Sequence, residues 1–376
     1  MIKAMRTLKM ALLPPSSRSF HHAEEEGNRQ FILLSQQLTS LQEHVQKLQQ
    51  QNTELMERIA ELAKRSSESH EYEQTREMML YWQLFRNPNE DLETAKKRFF
   101  RGLPQATGLP RLFQKAEIKL FKEFNLLCKE HNITYWMGSG TLLGAYLYND
   151  IIPWDDDIDV FIPRSDLERL QKEVQNNERY RVSIVWDWFV PCKQIRFRLK
   201  DENNPTFIDL FPLDFINDDP NTAWDRVSQA RKVFVQDLRK EFSSSSWPLQ
   251  PYLHEQETLT KKIEGLFADH FENISHQVNF VTDPNKATGL TRGIENIDES
   301  HSTGPYYIED WLPASEMLFS DFYGKIPSKW RDYLTRLYGD FMQIPKDINS
   351  HEHVDPNYLQ EEKTLSSLQN YVVEIL

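Results

Sequence analysis

Four aspartates, Asp155, Asp156, Asp157 and Asp159, fall within five residues, directly ahead of the apolar run Val160-Phe161-Ile162. In extended backbone, residues i and i+2 share a face. Asp157 and Asp159 therefore project together, with Asp155 beside them, while Ile158 and Val160 turn into the core. Carboxylates brought this close repel unless a cation lies between them, and hard oxygen ligands suit Mg²⁺ or Mn²⁺. A solvated acidic turn is the competing reading. The apolar flanks Ile151-Ile152-Pro153-Trp154 and Val160-Phe161-Ile162 argue for burial on both sides, and so for metal.

Just upstream, Gly138-Ser139-Gly140 follows the β-branched and aromatic stretch Ile133–Met137 and opens a short helical run from Thr141 to Leu147. Backbone amides at such a strand-to-helix turn suit a phosphate, and glycine permits close approach. Downstream, Gln194–Lys200 alternates, with Ile195, Phe197 and Leu199 on one face and Arg196, Arg198 and Lys200 on the other. After a turn at Asn203-Asn204-Pro205 comes Phe207-Ile208-Asp209-Leu210-Phe211, apolar except for its centre. An isolated carboxylate within such a strand is expensive without a partner. Delivered beside Asp157 and Asp159, Asp209 would complete a three-carboxylate site; the alternative is an edge aspartate facing water. Arg196 and Arg198 either bind phosphate or face solvent, and the alternation alone does not choose.

The positioning elements are legible around these motifs. Leu120, Phe124, Leu127 and Cys128 fall at helical spacing and predict a helix over 112–130 with Cys128 in the core. Helices over 222–241 and 255–276 read as a helical insert that shapes the acceptor side. Trp311, Phe319, Phe322, Trp330, Tyr333, Leu334 and Leu337 read as core. His351 and His353 form an i, i+2 pair that could ligate a metal, but their polar surroundings read as a mobile tail. Far upstream, Leu34, Leu38, Leu41, Val45, Leu48, Asn52, Leu55, Ile59 and Leu62 recur at spacings of four and three. With Val45, Asn52 and Ile59 at a and leucines at d, the pattern predicts a parallel two-stranded coiled coil, its register set by Asn52.

Composition narrows the field. The chain has 376 residues and 39% hydrophobic content, and 44 Lys+Arg against 57 Asp+Glu give a net charge of −13. That balance is a poor footprint for nucleic acid, so no nucleic-acid partner is expected. Mean hydropathy is −0.64, and the longest apolar runs fall far short of a membrane-spanning helix. Cys128 and Cys192 cannot form a disulfide scaffold or a Cys-only zinc site. The expectation is a soluble protein of a reducing compartment. Its expected segments are a disordered leader over 1–29, the coiled coil over 30–66, a helical linker over 67–109, a catalytic domain over 110–346 and a tail over 347–376, with a polar hinge at Arg65–Glu73 where coiled coil and linker meet.

Taken together, Gly138–Leu143 with Ile152–Val160, then Phe207–Asp214 (FIDLFPLD), then Tyr338-Gly339-Asp340 with Pro345, resemble the LicD family, which is related to the fukutin-type transferases and the broader nucleotidyltransferase fold. The resemblance implies an α/β (α+β) fold, a nucleotidyltransferase-like mixed sheet flanked by helices. It implies transfer of a phospho-alcohol, phosphocholine foremost, from a CDP-linked donor to a hydroxyl of a cell-surface glycan such as lipopolysaccharide, teichoic acid or capsule. Asp157, Asp159 and Asp209 would be catalytic, and the same three with Asp155 would hold Mg²⁺ or Mn²⁺. Gly138, Ser139, Gly140 and Thr141, with Arg196 and Arg198, would bind the donor phosphate. The family's usual Arg after the Gly-Ala-aromatic run is Leu147 here, which would throw donor binding onto Lys193, Arg196 or Arg198, alter the choice of donor, or abolish activity. The Cys-rich zinc element of some animal relatives is absent, so no zinc is expected.

Two rival functions stand beside this one. An Asp-x-Asp glycosyltransferase using a sugar nucleotide would usually place a full nucleotide-binding half before the motif, and only about 45 residues of body precede it here. A catalytically inactive coiled-coil scaffold would bind nucleotide without turnover. By analogy with the family, the place of work would be cytoplasmic, at the inner face of the plasma membrane. The heptad pattern carries its own test: sedimentation of a chain lacking residues 30–65 should report a smaller particle than the full chain, and an unchanged subunit number would remove the dimer.

Overall fold

The computed structural model describes residues 15–250, 252–254, 257–296, 304–344 and 353–374. The chain divides into two units, Met1–Arg86 and Asn87–Leu376. In the first, a single helix, α1 (Pro15–Phe85), runs for 71 residues. Proline is tolerated at a helix start, where its missing N–H has no intrahelical acceptor to lose. Residues 15–29 of the expected leader are thus helical, and so is the expected hinge at Arg65–Glu73. No proline follows Pro15 in this helix, and Glu, Gln, Lys and Arg propagate it well. Its heptad face is open to solvent in the single chain, with Leu41 68% and Ile59 52% exposed.

The second unit begins with α2 (Leu92–Arg101), capped by Asp91, whose side chain accepts from the Thr94 amide. Then come α3 (Gly108–Glu130), β1 (Trp136–Met137), α4 (Ser139–Leu147), β2 (Asp159–Pro163) and α5 (Arg164–Gln175). Strands β3 (Tyr180–Asp187), β4 (Cys192–Leu199) and β5 (Phe207–Ile216) follow, then α6 (Pro220–Phe242), β6 (Tyr252–His254) and α7 (Thr258–Ser275). The chain continues through β7 (Phe280–Val281), β8 (Gly289–Arg292), β9 (Tyr306–Tyr307), α8 (Ile308–Trp311), β10 (Ser315–Phe319) and β11 (Phe322–Ile326). It closes with α9 (Trp330–Tyr338), α10 (Pro356–Gln360) and α11 (Glu362–Val373).

The main sheet runs β1-β2-β5-β4-β3-β6, with β7 and β8 also on β5 and β9 on β8; β10 and β11 form a separate hairpin. It is a mixed sheet, because β2 and β5 are parallel while β4 and β8 run antiparallel to β5. The fold class is the expected α/β one. Helix α3 lays Phe113, Ala116, Leu120, Phe121, Phe124 and Cys128 onto the sheet at helical spacing. Strand β4 buries Ile195, Phe197 and Leu199 and turns Arg196 and Arg198 to the other side. The insert α6–α7 closes over its own apolar cluster of Trp186, Phe234, Leu238, Phe242, Trp247, Leu253 and Ile263.

The C-terminal segment is not a tail. Leu359, Leu368 and Tyr371 join the main core, and the Tyr371 hydroxyl donates to Glu123 of α3 at 2.9 Å. Its heptad-free sequence hides this docking, because the complementary surface is built by segments remote in the chain, α3 with Arg179, Asp201 and Asn204.

Beneath the sheet, Arg164 joins two buried carboxylates. It donates to Asp214 at 2.5 and 2.7 Å and pairs with Glu295 at 2.7 Å. Asp214 is the last residue of the FIDLFPLD stretch, so that motif carries one aspartate for the cavity and one for the scaffold. Removing one partner of a buried ion pair strands the other. Asp214→Ala should therefore lower the unfolding free energy by about 3 kcal/mol, read as a shifted urea midpoint; an unmoved midpoint would count against the triad.

Candidate active site

The register of β2 on β5 pairs Asp159 directly with Asp209, and the Asp209 amide donates to the Ile158 carbonyl at 2.8 Å. Parallel pairing of neighbouring strands thus sets two carboxylates side by side on one face. Asp157 stands just ahead of β2 rather than within it, in a loop that α3 holds from behind. Gln114 donates to the carbonyl of Asp155 at 2.8 Å, and Arg111 pairs with Asp150 at 2.6 Å. The outcome is a cluster in which one oxygen each from Asp157, Asp159 and Asp209 lies within 4.8 Å of the others. Asp155 is hydrogen-bonded to Asp157 and faces the same cavity, but it lies outside that three-residue group.

Proximity and burial raise Asp155, Asp157 and Asp159 above the usual carboxylate range. Burial first, then the charges of Asp209 and Asp155, push Asp159 up to about 7. Asp157 is driven well above the usual carboxylate range by burial and then by Asp159, Asp155 and Asp209. Asp155 is also raised by burial, against its hydrogen bond from Asp157. Arg196 offsets part of the repulsion: its Nε donates to Asp209 at 2.9 Å while its guanidinium stacks on Phe207. Hard oxygen donors, mutual repulsion and half-neutralised charge are what a divalent cation would relieve, so the residues fit Mg²⁺ or Mn²⁺.

The Gly-Ser turn is placed as expected but is spent differently. The Gly138 amide donates to the Asp159 carbonyl at 3.0 Å and the Ser139 amide to the Tyr333 hydroxyl at 3.2 Å. The Thr141 hydroxyl accepts from the Asp159 amide at 2.8 Å, so Thr141 positions Asp159. Ser139 and Gly140 remain on the cavity wall at the N-terminus of α4, where first-turn amides lack intrahelical acceptors. Ser139 holds a φ of +40°, a left-handed value that a non-glycine residue rarely adopts. A Cβ at Gly140 would meet the Asp155 carboxylate at 2.7 Å, which explains glycine there.

The cavity measures about 510 Å³ and is walled by these aspartates, Ser139 and Gly140, with Lys193, Arg231, Arg292, Tyr338 and His353. Arg196 reaches it only through Asp209. Arg198 is set further along β4, opposite Phe207, and is not on the wall; the expected pairing of Arg196 and Arg198 as phosphate ligands is corrected to one aspartate clamp and one residue away from the site. Leu147 is also remote, packed with Phe100, Tyr146, Tyr148, Ile152 and Met342. Its departure from the family pattern therefore removes no cation from this cavity.

His353 is a residue the sequence reading set aside. Its ring nitrogen meets Asp156 at 2.7 Å and its backbone amide donates to the same carboxylate at 2.9 Å; the other nitrogen lies 3.5 Å from Asp157. Burial works against the charged ring, yet Asp156 holds it above its ordinary value. Asp156, Asp157 and His353 form a second group of ligand-type atoms within 4.8 Å. His351 and Pro345 lie outside the described residues. Arg292 was missed because a four-residue strand is too short for alternation to register, and Arg231 because it sits on an insert helix.

Comparison with known proteins agrees with this geometry. Residues 132–252 match the family model described as LicD/FKTN/FKRP, nucleotidyltransferase domain. The chain is 23% identical over 262 residues to the lipopolysaccharide cholinephosphotransferase LicD of Haemophilus influenzae, covering 65% of this chain and 94% of that protein. It is 35% identical over 83 residues to the ribitol 5-phosphate transferase FKRP of Mus musculus, 21% of this chain but only 17% of that protein. An uncharacterised protein of Rickettsia prowazekii is 38% identical over 69 residues, 26% of its length.

The raised Asp159 makes a signed prediction. An aspartate near 3.8 when unfolded and about 7 when folded contributes stability fully below the lower value and loses it as pH rises through the higher. Metal-free protein should therefore lose thermal stability from about pH 5 to about pH 8. Added Mg²⁺ or Mn²⁺ should restore it at the upper end and do little at the lower; a melting temperature that neither ion moves at the upper end would count against a cation site. The matched segment spans the acid cluster, the glycine turn and Asp209 together, so the residues that build the site are the ones that match the LicD/FKTN/FKRP nucleotidyltransferase domain.

Proposed function

We propose that the protein is a metal-dependent transferase that moves a phospho-alcohol from a CDP-linked donor to a hydroxyl of a cell-surface glycan, with phosphocholine the first candidate group. The observation that carries this reading is the meeting of Asp157, Asp159 and Asp209 at a cavity, together with relatives named as a cholinephosphotransferase and a ribitol 5-phosphate transferase. In both of those names the transferred group joins its alcohol through phosphate.

The chemistry that Mg²⁺ or Mn²⁺ supplies when bound is neutralisation of the donor diphosphate and of the leaving nucleoside monophosphate. Asp157, Asp159 and Asp209 would hold it, with Asp155 supporting Asp157. The acceptor hydroxyl oxygen would form the new P–O bond as the bond to cytidine monophosphate breaks, with inversion at phosphorus. Its proton needs an acceptor. Asp209 has one oxygen fixed by Arg196 and further lone pairs left to take that proton. The Gly140 amide, in the first turn of α4, offers the helix-terminal dipole to the phosphate oxygens. Arg196 is a positioning residue, acting through Asp209.

The exposed seam of α1 supports pairing with a second copy in parallel, and glycan acceptors support work at a membrane face; both belong to the same proposal. Incubation with CDP-choline, CDP-ribitol, CDP-glycerol and CDP-ethanolamine in Mg²⁺ should release cytidine monophosphate from at least one. Asp157→Asn should cut that release by about a thousandfold or more with the far-UV spectrum unchanged. Undiminished release by the variant would refute the aspartate assignment, and nucleotide-induced stabilisation without release would favour the inactive scaffold.

A further inference from the structure

The cavity has a cationic end as well as an acidic one. Arg292, the last residue of β8, is only 7% exposed and still lines the cavity. It sits opposite Leu213 on β5, four residues beyond Asp209 along the same strand. Leu213, Phe211 and Asp209 alternate onto one face, and Phe211 and Asp209 are in register with Phe161 and Asp159 of β2. Phe161 and Phe211 therefore form an aromatic floor, with the aspartates at one end and Arg292 at the other. The Arg292 guanidinium lies 5.1 Å from the centroid of the Phe161 ring.

The partners of the nearby cations mark Arg292 out. Lys193 is neutralised by Glu264 at 2.6 Å, Arg196 by Asp209, and Arg231 donates to the Pro191 carbonyl. Arg292 hydrogen-bonds Tyr306, yet no acidic side chain among the described residues pairs with it, and its Nε has no hydrogen-bond partner there. A buried cation without a counter-ion is costly, and the planar guanidinium fork matches phosphate oxygens. Tyr333 stands beside Arg292 and also accepts from the Ser139 amide, so the arginine and the start of α4 face one region.

We propose that Arg292 anchors a phosphate group of the ligand, which lies across the Phe161–Phe211 floor between this guanidinium and the carboxylate cluster. The inference deepens the transferase reading and rests on its phosphate-bearing donor. It assigns the anionic subsite to β8, beyond the stretch that matches the family model, in place of the β4 cations or residue 147.

Calorimetric titration of the full chain with inorganic pyrophosphate, Mg²⁺ being equal in both solutions, tests it. Arg292→Met should weaken pyrophosphate by roughly ten- to a hundredfold, and Arg292→Lys by less, because one ammonium replaces a fork. Cytidine, which lacks phosphate, should bind all three proteins alike. Pyrophosphate affinity within twofold of the parent protein, in whichever variant folds, overturns the proposal, as does a parent protein that does not bind pyrophosphate. The two readings separate cleanly. Arg292-dependent pyrophosphate binding without turnover of any CDP-alcohol keeps the anion site and removes the transferase, whereas turnover with unchanged KM in Arg292→Met keeps the transferase and removes the anion site.

Discussion

Like charges held against one another by backbone pairing dominate this molecule. The β2–β5 register fixes Asp159 beside Asp209, and the chain cannot relax that contact without unzipping a parallel ladder in the middle of its sheet. Asp157 is brought in by a loop tied to α3 through Gln114. The repulsion is met from several sides: Arg196 on Asp209, Thr141 on the Asp159 amide, and the hydrogen bond between Asp155 and Asp157. What these leave uncompensated is the repulsion that the proposed cation would relieve. A scaffold that spends sheet stability to hold repelling groups together is the expected signature of a preorganised site.

The same logic explains why the glycine turn matters less as a phosphate cradle than its composition suggests. Two of its amides already serve the fold, one closing β1 onto β2 and one meeting Tyr333. The turn brings the start of α4 to the acid cluster, and Gly140 leaves room for the Asp155 carboxylate. Positioning of charge and recognition of charge are thus divided between neighbouring residues of one turn.

Position 147 shows how a departure from a family pattern should be weighed. In sequence, a leucine where an arginine is usual suggests a lost contact with the donor. In the structure its side chain belongs to an apolar cluster with Phe100 and Met342. An arginine there would need a partner outside the cavity, so the substitution changes packing around α2 and α4 rather than the wall that a ligand meets.

Much was legible from residue order alone. The i, i+2 spacing of Asp157 and Asp159, the apolar flanks that demand burial, the lone Asp209 in its strand and the alternation of β4 are all local patterns, and local patterns report which face a side chain takes. The periodicity of α3 and α1 was equally plain, though the polar stretch at 65–73 hid the continuity of the latter, because helix propensity there outweighs the absence of an apolar face. Tertiary structure alone decided the rest. It assigned Arg196 to Asp209 and removed Arg198 from the cavity, since alternation gives a face but not a distance. It brought His353 to Asp156 across 197 residues of sequence and set Arg292 at the far end of the aromatic floor. Contacts between remote segments follow from strand order and register, which no short window of sequence encodes.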